Sequence, residues 1–367
     1  MIPINSPQIG EEEIDAVVKV LKSGFLTHGL GAGPTVTKFE ESYAEFAGVK
    51  HAIATNSGTA ALHLAVLGAG VKPGDEVILP SFTFVATAEV IVMAGAKPVF
   101  VDIDAETYNI SPHEIIKAIT KKTKAIIAVD LYGLPADMQP IREIADKNGL
   151  LLIEDACQAH GATYKGKPAG ALADVACWSF YASKNMTTGE GGMVTTNNDE
   201  IAEKIRFMRS HGEKEKYTSI MLGYNYRMSE MQAALGCVQL EKLPKFLAKR
   251  RENAMKLSEK LRGVEGLKLP SEPKDCKHSW YLYTVRYEDA EEKERDGIVE
   301  ELRRRGIGSE VYYRNPIHLM PYYRNFGKRR LPETEKAAKQ VFSLPIHPGV
   351  AEDQINFIGD TLLQFLC

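Results

Sequence analysis

Two short segments place an acid and a lysine where they could act on a bound ligand. In IEDACQAHGA, residues 153–162, an apolar run ends directly in Glu154 and Asp155. In WSFYASKNMTTGEGGMVTT, residues 178–196, a strand-like run ends in Ser179 and is followed by Lys184 and a Gly-rich turn. Taken singly, Asp155 also fits a helix N-cap and Lys184 a surface charge. Taken together, they predict a site for pyridoxal phosphate, which requires a covalent lysine and an acid for its pyridinium nitrogen.

Two further segments could hold the rest of such a cofactor. In ATNSGTAALHLAVLG, residues 54–68, a strand runs through Asn-Ser-Gly-Thr into a helix. The start of that helix offers free amides and a positive dipole end to a phosphate, and Ser57 and Thr59 add hydroxyls. In PSFTFVATAEVI, Phe82 or Phe84 could stack on a flat ring. The alternatives are an ordinary N-cap for the first segment and core packing for the second.

These segments lie in a stretch where strand and helix patterns alternate. The predicted strands are His51–Thr55, Glu76–Leu79, Pro98–Val101, Ala125–Val129, Leu150–Ile153, Val175–Phe180 and Gly192–Thr196. The predicted helices between them include Ala60–Leu67, Val85–Met93 and Asp137–Lys147. This order predicts an α/β fold with a mainly parallel sheet covered by helices on both faces. Ligands of such sheets bind outside the carboxyl ends of the strands.

The remaining patterns predict a second, smaller domain. A helix at 10–21 should stop at Gly24, and a Gly-rich loop follows over Gly24–Pro34. A long helix from Ser229 to about Leu261 leads out of the alternating region. The predicted elements after it are strand Tyr281–Tyr287, helix Glu291–Arg305, strand Gly308–Tyr312, helix Pro332–Gln340 and helix Glu352–Phe365. We expect a large cofactor-binding domain at residues 13–240 and a small C-terminal domain at 241–367, against which residues 1–12 pack.

Composition excludes several classes of protein. The 367 residues carry a net charge of -3, which gives no general attraction to nucleic acid or anionic membranes. The 5 Cys residues are scattered, without a CxxC pair, which argues against a disulfide framework and a structural zinc site. The start, MIPINSPQIGEEEI, lacks the pattern of a signal peptide, and the apolar runs are too short to span a bilayer. We therefore expect a cytoplasmic protein.

Five motifs, in this order, resemble those of one known family. They are NSGTAAL, PSFTFVAT, EDACQAHGA, SFYASKNMTTGEGGMV and GYNYRMSEMQAA. The set is similar to that of the DegT/DnrJ/EryC1/StrS family of sugar aminotransferases, and the resemblance extends from GEEEIDAVVKVLKSGFLTHG to the terminal SLPIHPGV. It implies a fold type I, aspartate-aminotransferase-like architecture, with a mainly parallel large domain and a smaller α+β C-terminal domain.

The resemblance also implies roles for individual residues. Lys184 would bind pyridoxal 5'-phosphate covalently, and Asp155 would pair with its pyridine nitrogen. Gln158 would contact the ring hydroxyl, and Phe84 would stack on the ring. The phosphate would be held by Ser57, Gly58, Thr59 and Ser179. Asn225, in GYNYRM, would reach the phosphate of the neighbouring subunit, which implies a homodimer with shared active sites.

The implied reaction moves an amino group from glutamate to a nucleotide-linked keto sugar, for amino-sugar and cell-surface polysaccharide biosynthesis. We expect a 4-keto-6-deoxyhexose, with a 3-keto sugar or a keto-cyclitol as alternatives. The loops expected to select the sugar are Gly24–Pro34, Lys184–Glu190 and Tyr312–Tyr323. One branch of the family has His in place of the lysine and dehydrates sugars, so Lys184 favours transamination.

Two other classes of protein fit the sequence less well. A regulator that binds pyridoxal phosphate with little turnover is disfavoured, because no segment resembles a nucleic-acid-binding motif. A nicotinamide oxidoreductase is excluded because NSGTAA, the Gly cluster near the first strand, is not GxGxxG.

Overall fold

A central seven-stranded sheet dominates the computed structural model, which describes residues 1–288, 290–327 and 329–366. The strands of these residues are, in chain order, β1 (His51–Thr55), β2 (Glu76–Pro80), β3 (Lys97–Val101), β4 (Thr123–Val129), β5 (Leu151–Asp155), β6 (Thr163–Tyr164), β7 (Lys167–Pro168), β8 (Val175–Ser179), β9 (Gly192–Thr196), β10 (Glu213–Glu215), β11 (Thr218–Ser219), β12 (Leu267–Lys268), β13 (Cys276–Lys277), β14 (Tyr283–Tyr287) and β15 (Val341–Leu344). The central sheet has the order β1-β9-β8-β5-β4-β2-β3. Strand β9 is antiparallel to β1 and β8, and the other neighbours are parallel.

Helices cover both faces of this sheet. The α-helices of the described residues are α1 (Glu11–Ser23), α2 (Pro34–Ala47), α3 (Gly58–Gly68), α4 (Ala86–Met93), α5 (Pro112–Ala118), α6 (Met138–Asn148), α7 (Asp199–Arg209), α8 (Glu230–Leu261), α9 (Glu292–Arg304), α10 (Pro332–Gln340) and α11 (Glu352–Leu366). Val77 and Leu79 of β2 belong to a hydrophobic cluster with α3 and α4. Ile78, between them, belongs to a cluster with α5 and α6. This two-sided burial explains why β2, after Glu76, is a continuous apolar run, VILP.

A smaller part follows α8 and has its own core. Strands β12, β14 and β15 form a three-stranded antiparallel sheet. Side chains of α8, α9 and α11 pack with this sheet around Tyr283 and Phe342. Ile2 joins the same cluster, and its amide donates to the Gly306 carbonyl at 2.7 Å. Because α8 runs through residue 240 without a break, the domain boundary there stays a prediction.

The predicted fold class is confirmed, and most predicted elements appear within a few residues of their expected ends. Helix α1 ends at Gly24, which has a positive φ of 69°. The predicted strand Gly308–Tyr312 is wrong: after one bridge between Glu310 and Ser343, the chain leaves the edge of β15. The hydroxyl of Tyr132 donates to the Tyr312 carbonyl, which holds this segment against the large domain instead. Helix α2 and strand β15 had not been predicted.

Among the described residues, no helix has the length and apolarity needed to cross a membrane. The same part of the chain contains no group of His, Cys, Asp or Glu arranged to hold a metal ion. Cys157, Cys177, Cys237 and Cys276 are free thiols, and Cys367 lies outside the described residues.

Candidate active site

The predicted site residues cluster at one edge of the central sheet. Strand β1 runs in the same direction as β8, because each is antiparallel to β9. The carboxyl ends of β1, β2, β5 and β8 therefore lie along a common edge. Ser57–Thr59 follow β1, Phe84 follows β2, Asp155 ends β5, and Ser179 ends β8, with Lys184 just beyond it. Asn225 is the one predicted residue that comes from another part of the chain.

Asp155 is a buried carboxylate with two donors. It is 5% exposed. Its Oδ2 accepts a hydrogen bond from the Thr87 hydroxyl at 2.9 Å, and its Oδ1 accepts one from the Cys157 amide at 3.3 Å. Ionised carboxylates have about four lone-pair positions, so Asp155 keeps acceptor capacity for another donor. It is therefore suited to hold a protonated ring nitrogen.

Lys184 lies on the turn that follows β8 and is partly exposed. Its Nζ lies 4.4 Å from the centroid of the Tyr281 ring, where a cation is attracted by the face of the ring. The Tyr281 hydroxyl is 3.0 Å from the hydroxyl of Ser183. Next to the lysine, the Asn185 side chain donates to the Ser279 carbonyl at 3.1 Å. The segment that follows α8 therefore positions Lys184. The sequence around Lys184 does not indicate this contact.

The turn between β1 and α3 forms an anion cradle against the end of β8. The Ser57 hydroxyl accepts from the Ala60 amide at 3.1 Å and caps α3. The Gly58 and Thr59 amides are in the first helical turn, where amides have no intrahelical acceptor. A Cβ atom on Gly58 would lie 2.7 Å from the Cβ of Ser179, so glycine permits this close approach. The cradle thus brings together the four residues expected to hold a phosphate.

Phe84 and Gln158 both lie next to Tyr313. Phe84 is 55% exposed, and its ring centroid lies 6.2 Å from that of Tyr313. Gln158 donates to the Tyr313 hydroxyl at 3.1 Å, while its side-chain oxygen accepts from the Tyr132 amide at 2.8 Å. Phe82, the other aromatic of the motif, is fully buried, as core packing requires.

Asn225 lies close to the phosphate cradle of its own chain. Its backbone carbonyl accepts from the Asn56 side chain at 3.3 Å, and it forms an isolated bridge with Ser210. The residue itself is exposed. Its predicted contact with the neighbouring subunit stays a prediction.

Several residues of the site were not predicted from the sequence. Thr87, Tyr281 and Tyr132 contact the predicted residues although they are distant along the chain. Tyr313 falls within the stretch expected to choose the sugar, but its contacts with Gln158 and Phe84 had not been predicted. Thr83 precedes α4 and Thr87 lies in its first turn, so no helical periodicity in the sequence pairs them.

Two further carboxyl groups, those of Asp130 and Glu154, lie fully buried next to Asp155. The Asp130 amide donates to the Asp155 carbonyl at 3.1 Å. Asp130 Oδ1 accepts from the Ala136 amide and Glu154 Oε1 from the Gly170 amide, both at 2.9 Å. Burial, and then the proximity of Glu154, raise the pKa of Asp130 well above its usual range, and burial raises the pKa of Glu154. The folded protein therefore binds protons at this pair more tightly than the unfolded chain does.

Replacement of Asp130 by Asn is expected to reduce the pH dependence of stability. The unfolded acids lose their protons above about pH 4. The folded protein thus binds more protons, and the free energy of unfolding falls as pH rises from about 4 toward the raised pKa. Thermal melts between pH 5 and pH 8.5 should show a fall that is smaller in Asp130→Asn by about 1 kcal/mol or more. Asp15→Asn, an exposed helical control, should keep the wild-type slope; an equal slope in Asp130→Asn would contradict the raised pKa of Asp130.

The assembled residues fit pyridoxal phosphate. The close approach of Gly58 to Ser179 puts the amides of the first turn of α3 beside the Ser179 side chain, which suits an anion. The half-exposed Phe84 offers a face for a flat ring, and Asp155 offers a buried carboxylate for its nitrogen. Lys184 supplies an amine at the same edge. A nucleotide would need neither the lysine nor the buried Asp155 carboxylate in this arrangement.

The chain is similar to known proteins over nearly all of its length. Residues 7–363 match the model of the DegT/DnrJ/EryC1/StrS aminotransferase family. The chain is 39% identical to the GDP-perosamine synthase of Caulobacter vibrioides, over 100% of this chain and 98% of that protein. It is 40% identical to the dTDP-3-amino-3,4,6-trideoxy-alpha-D-glucose transaminase of Streptomyces venezuelae, over 95% of this chain and 91% of that protein.

Solved structures of similar proteins have the same fold. The Streptococcus pneumoniae protein Spr1654 in its PMP form superposes with a TM-score of 0.94 at 30% identity, covering 99% of this chain and 97% of that chain. The same protein has also been solved in a PLP form, with a TM-score of 0.93. The predicted cofactor, pyridoxal phosphate, is thereby confirmed, as is the fold. The chain belongs to the DegT/DnrJ/EryC1/StrS aminotransferase family and is a sugar transaminase that depends on pyridoxal phosphate.

Proposed function

We propose that this transaminase moves the amino group of glutamate to a nucleotide-linked 4-keto-6-deoxyhexose, in a pathway that makes amino sugars for cell-surface polysaccharide. The observation that carries the proposal is the convergence of Lys184, Asp155 and the Ser57–Thr59 cradle on neighbouring strand ends. When bound, the cofactor supplies an electron sink for the carbon that gains or loses the amine. The chain's own residues must then bind, orient and move protons.

We assign the roles as follows. Lys184 would hold the cofactor covalently and, as a free amine, would accept a proton from the reacting carbon and return it. Asp155 keeps the proton on the pyridine nitrogen, and its burial strengthens that pairing. Ser57, Gly58, Thr59 and Ser179 bind the phosphate, which keeps the ring within reach of Lys184. Phe84 supports the ring, and Gln158 has one side-chain N–H left for the ring hydroxyl after it donates to Tyr313.

A groove beside the predicted Gly-rich loop supports a nucleotide-linked substrate. Its volume is about 450 Å³, within the range of pockets for drug-sized ligands. His28 from the loop and His211, Lys216 and Arg227 from the segment after α7 line it, with Glu213 as the acidic member. Such basic groups suit a diphosphate.

Hydrogen bonds connect this groove to the phosphate cradle. Arg227 donates to the Ser210 hydroxyl at 3.1 Å, and Ser210 donates to the Gly29 carbonyl at 2.7 Å. Ser210 also bridges Asn225, whose carbonyl is bound by Asn56. A chain of hydrogen bonds therefore joins the groove, Asn225 and the start of the cradle. We infer that the substrate extends from the ring toward the groove.

The test of the substrate is a panel assay of the purified enzyme with glutamate as donor. The acceptors are GDP-, dTDP- and UDP-linked sugars with a keto group at C4 or C3, a keto-cyclitol and pyruvate, with products identified by mass spectrometry. We expect amination of a nucleotide-linked 4-keto sugar. Amination of 3-keto sugars alone, of the cyclitol alone or of pyruvate alone would overturn the substrate assignment while leaving the transaminase chemistry intact.

We further propose that the enzyme is a homodimer with shared sites. Apolar side chains near the groove are exposed, among them Phe25 at 43%, Leu30 at 43% and Leu222 at 77%. The Ser210–Gly29 bond joins the two segments that carry them. Adjacent exposed apolar groups mark association surfaces. A second copy that covers this surface would bring its Asn225 near the cradle.

Subunit mixing tests this sharing. Lys184→Ala and Asn225→Asp chains, each with little activity, should regain activity when unfolded together and refolded. If Asn225 acts on the partner, random mixing yields about a quarter of wild-type activity, because half the dimers are mixed and each has one intact site. Absence of any recovery, or full activity of a monomer at micromolar concentration, would contradict shared sites.

A further inference from the structure

Two buried threonine hydroxyls lie behind the Asp155 carboxylate. Thr87, in the first turn of α4, and Thr83 are each 1% exposed. The Thr87 hydroxyl is 2.9 Å from Asp155 Oδ2, and the two hydroxyls are 3.3 Å apart. An ionised carboxylate can only accept. The single Thr87 proton therefore points to Asp155, and Thr83 donates to Thr87.

This relay acts on the charge of Asp155. A hydrogen bond to the ionised form of an acid favours that form and opposes its protonation. The bond also restricts rotation of the carboxylate and leaves other lone pairs of its oxygens for a ring N–H. Removal of the Thr87 hydroxyl would leave Asp155 with the Cys157 amide as its remaining donor among the described residues. The Asp155 carboxylate would then lose a donor to its ionised form and would be less well oriented.

We propose that Thr87 is a positioning residue that keeps the proton on the pyridine nitrogen of the cofactor by holding Asp155 ionised and oriented. The inference rests on the proposed function, in which Asp155 pairs with that nitrogen. Thr83 supports Thr87 from behind. Neither hydroxyl is assigned a contact with substrate.

The experiment measures the ring nitrogen directly. Wild type, Thr87→Val, Thr87→Ser and Thr83→Val are loaded with cofactor isotopically labelled at that nitrogen, and its NMR shift is recorded against pH. We expect a protonated nitrogen in wild type and Thr87→Ser, and a shift toward the neutral form in Thr87→Val. The glutamate half-reaction of Thr87→Val should slow about tenfold, with the KM for glutamate changed less.

A matched control is available in Thr334. This buried threonine donates to the buried Asp102 carboxylate at 2.7 Å, in a pair that has no role in the proposed cofactor site. Thr334→Val should lose stability but keep the wild-type nitrogen shift. A wild-type shift and half-reaction rate in Thr87→Val would overturn the inference. If Thr87→Val does not fold, Thr83→Val decides: a smaller shift in the same direction supports the relay, and no shift overturns it.

The same measurement separates the inference from the proposed function. A neutral ring nitrogen in the wild type, or cofactor attached to a residue other than Lys184, would overturn the assigned roles of Asp155 and Lys184 and the inference with them. A protonated nitrogen in both wild type and Thr87→Val would overturn the Thr87 inference alone.

Discussion

Replacement of Lys184 by Ala is expected to reduce turnover with glutamate and any keto sugar by about a thousandfold or more. The variant loses both the covalent attachment and the group that moves the proton. Its cradle and Asp155 remain, so cofactor should still bind non-covalently. Steady-state assays give the turnover. Mass spectrometry after borohydride reduction should find cofactor mass on residue 184 in wild type and none in the variant.

The control for this substitution is Lys204→Ala, an exposed lysine of α7. It should retain wild-type turnover and covalent attachment. Near-normal turnover of Lys184→Ala would overturn the central assignment. Borohydride attachment of the cofactor to another lysine in the wild type would also overturn this assignment.

Replacement of Asp155 by Asn should slow the glutamate half-reaction by about a hundredfold, which corresponds to two pKa units of lost proton affinity at the ring nitrogen. The amide has nearly the shape of the carboxylate, and its single oxygen can still accept from one of the two donors, Thr87 or the Cys157 amide. It lacks the charge that keeps the ring nitrogen protonated. Stopped-flow absorbance with glutamate measures the rate, and dialysis measures cofactor retention.

Asp15→Asn serves again as the exposed control and should react at the wild-type rate. A half-reaction in Asp155→Asn within twofold of wild type would show that another group holds the proton. Asp130→Asn provides a second comparison, since it changes a buried acid next to Asp155. It should change the pH dependence of stability much more than the half-reaction.

The sequence by itself determined the local parts of this protein. The alternation of apolar runs and amphipathic helices identified the mainly parallel sheet, because strand and helix periods are local properties of the chain. Asp155, Ser179 and the Ser57–Thr59 turn were recognisable because each lies at or just after the end of a predicted strand. The five motifs together indicated the family and its cofactor, which the comparisons confirm.

The tertiary structure decided what lies between these parts. The bond from Thr87 to Asp155 joins residues 68 positions apart, and the cation–π contact joins Lys184 to Tyr281 of the segment after α8. The wrong strand at 308–312 has the same origin, since its pattern suited a strand but contacts with Tyr132 direct it to the site. Such contacts depend on which elements pack together, and side-chain periodicity in one segment does not specify its partner. The residues proposed to hold the cofactor could thus be identified locally, whereas those that orient them required the folded chain.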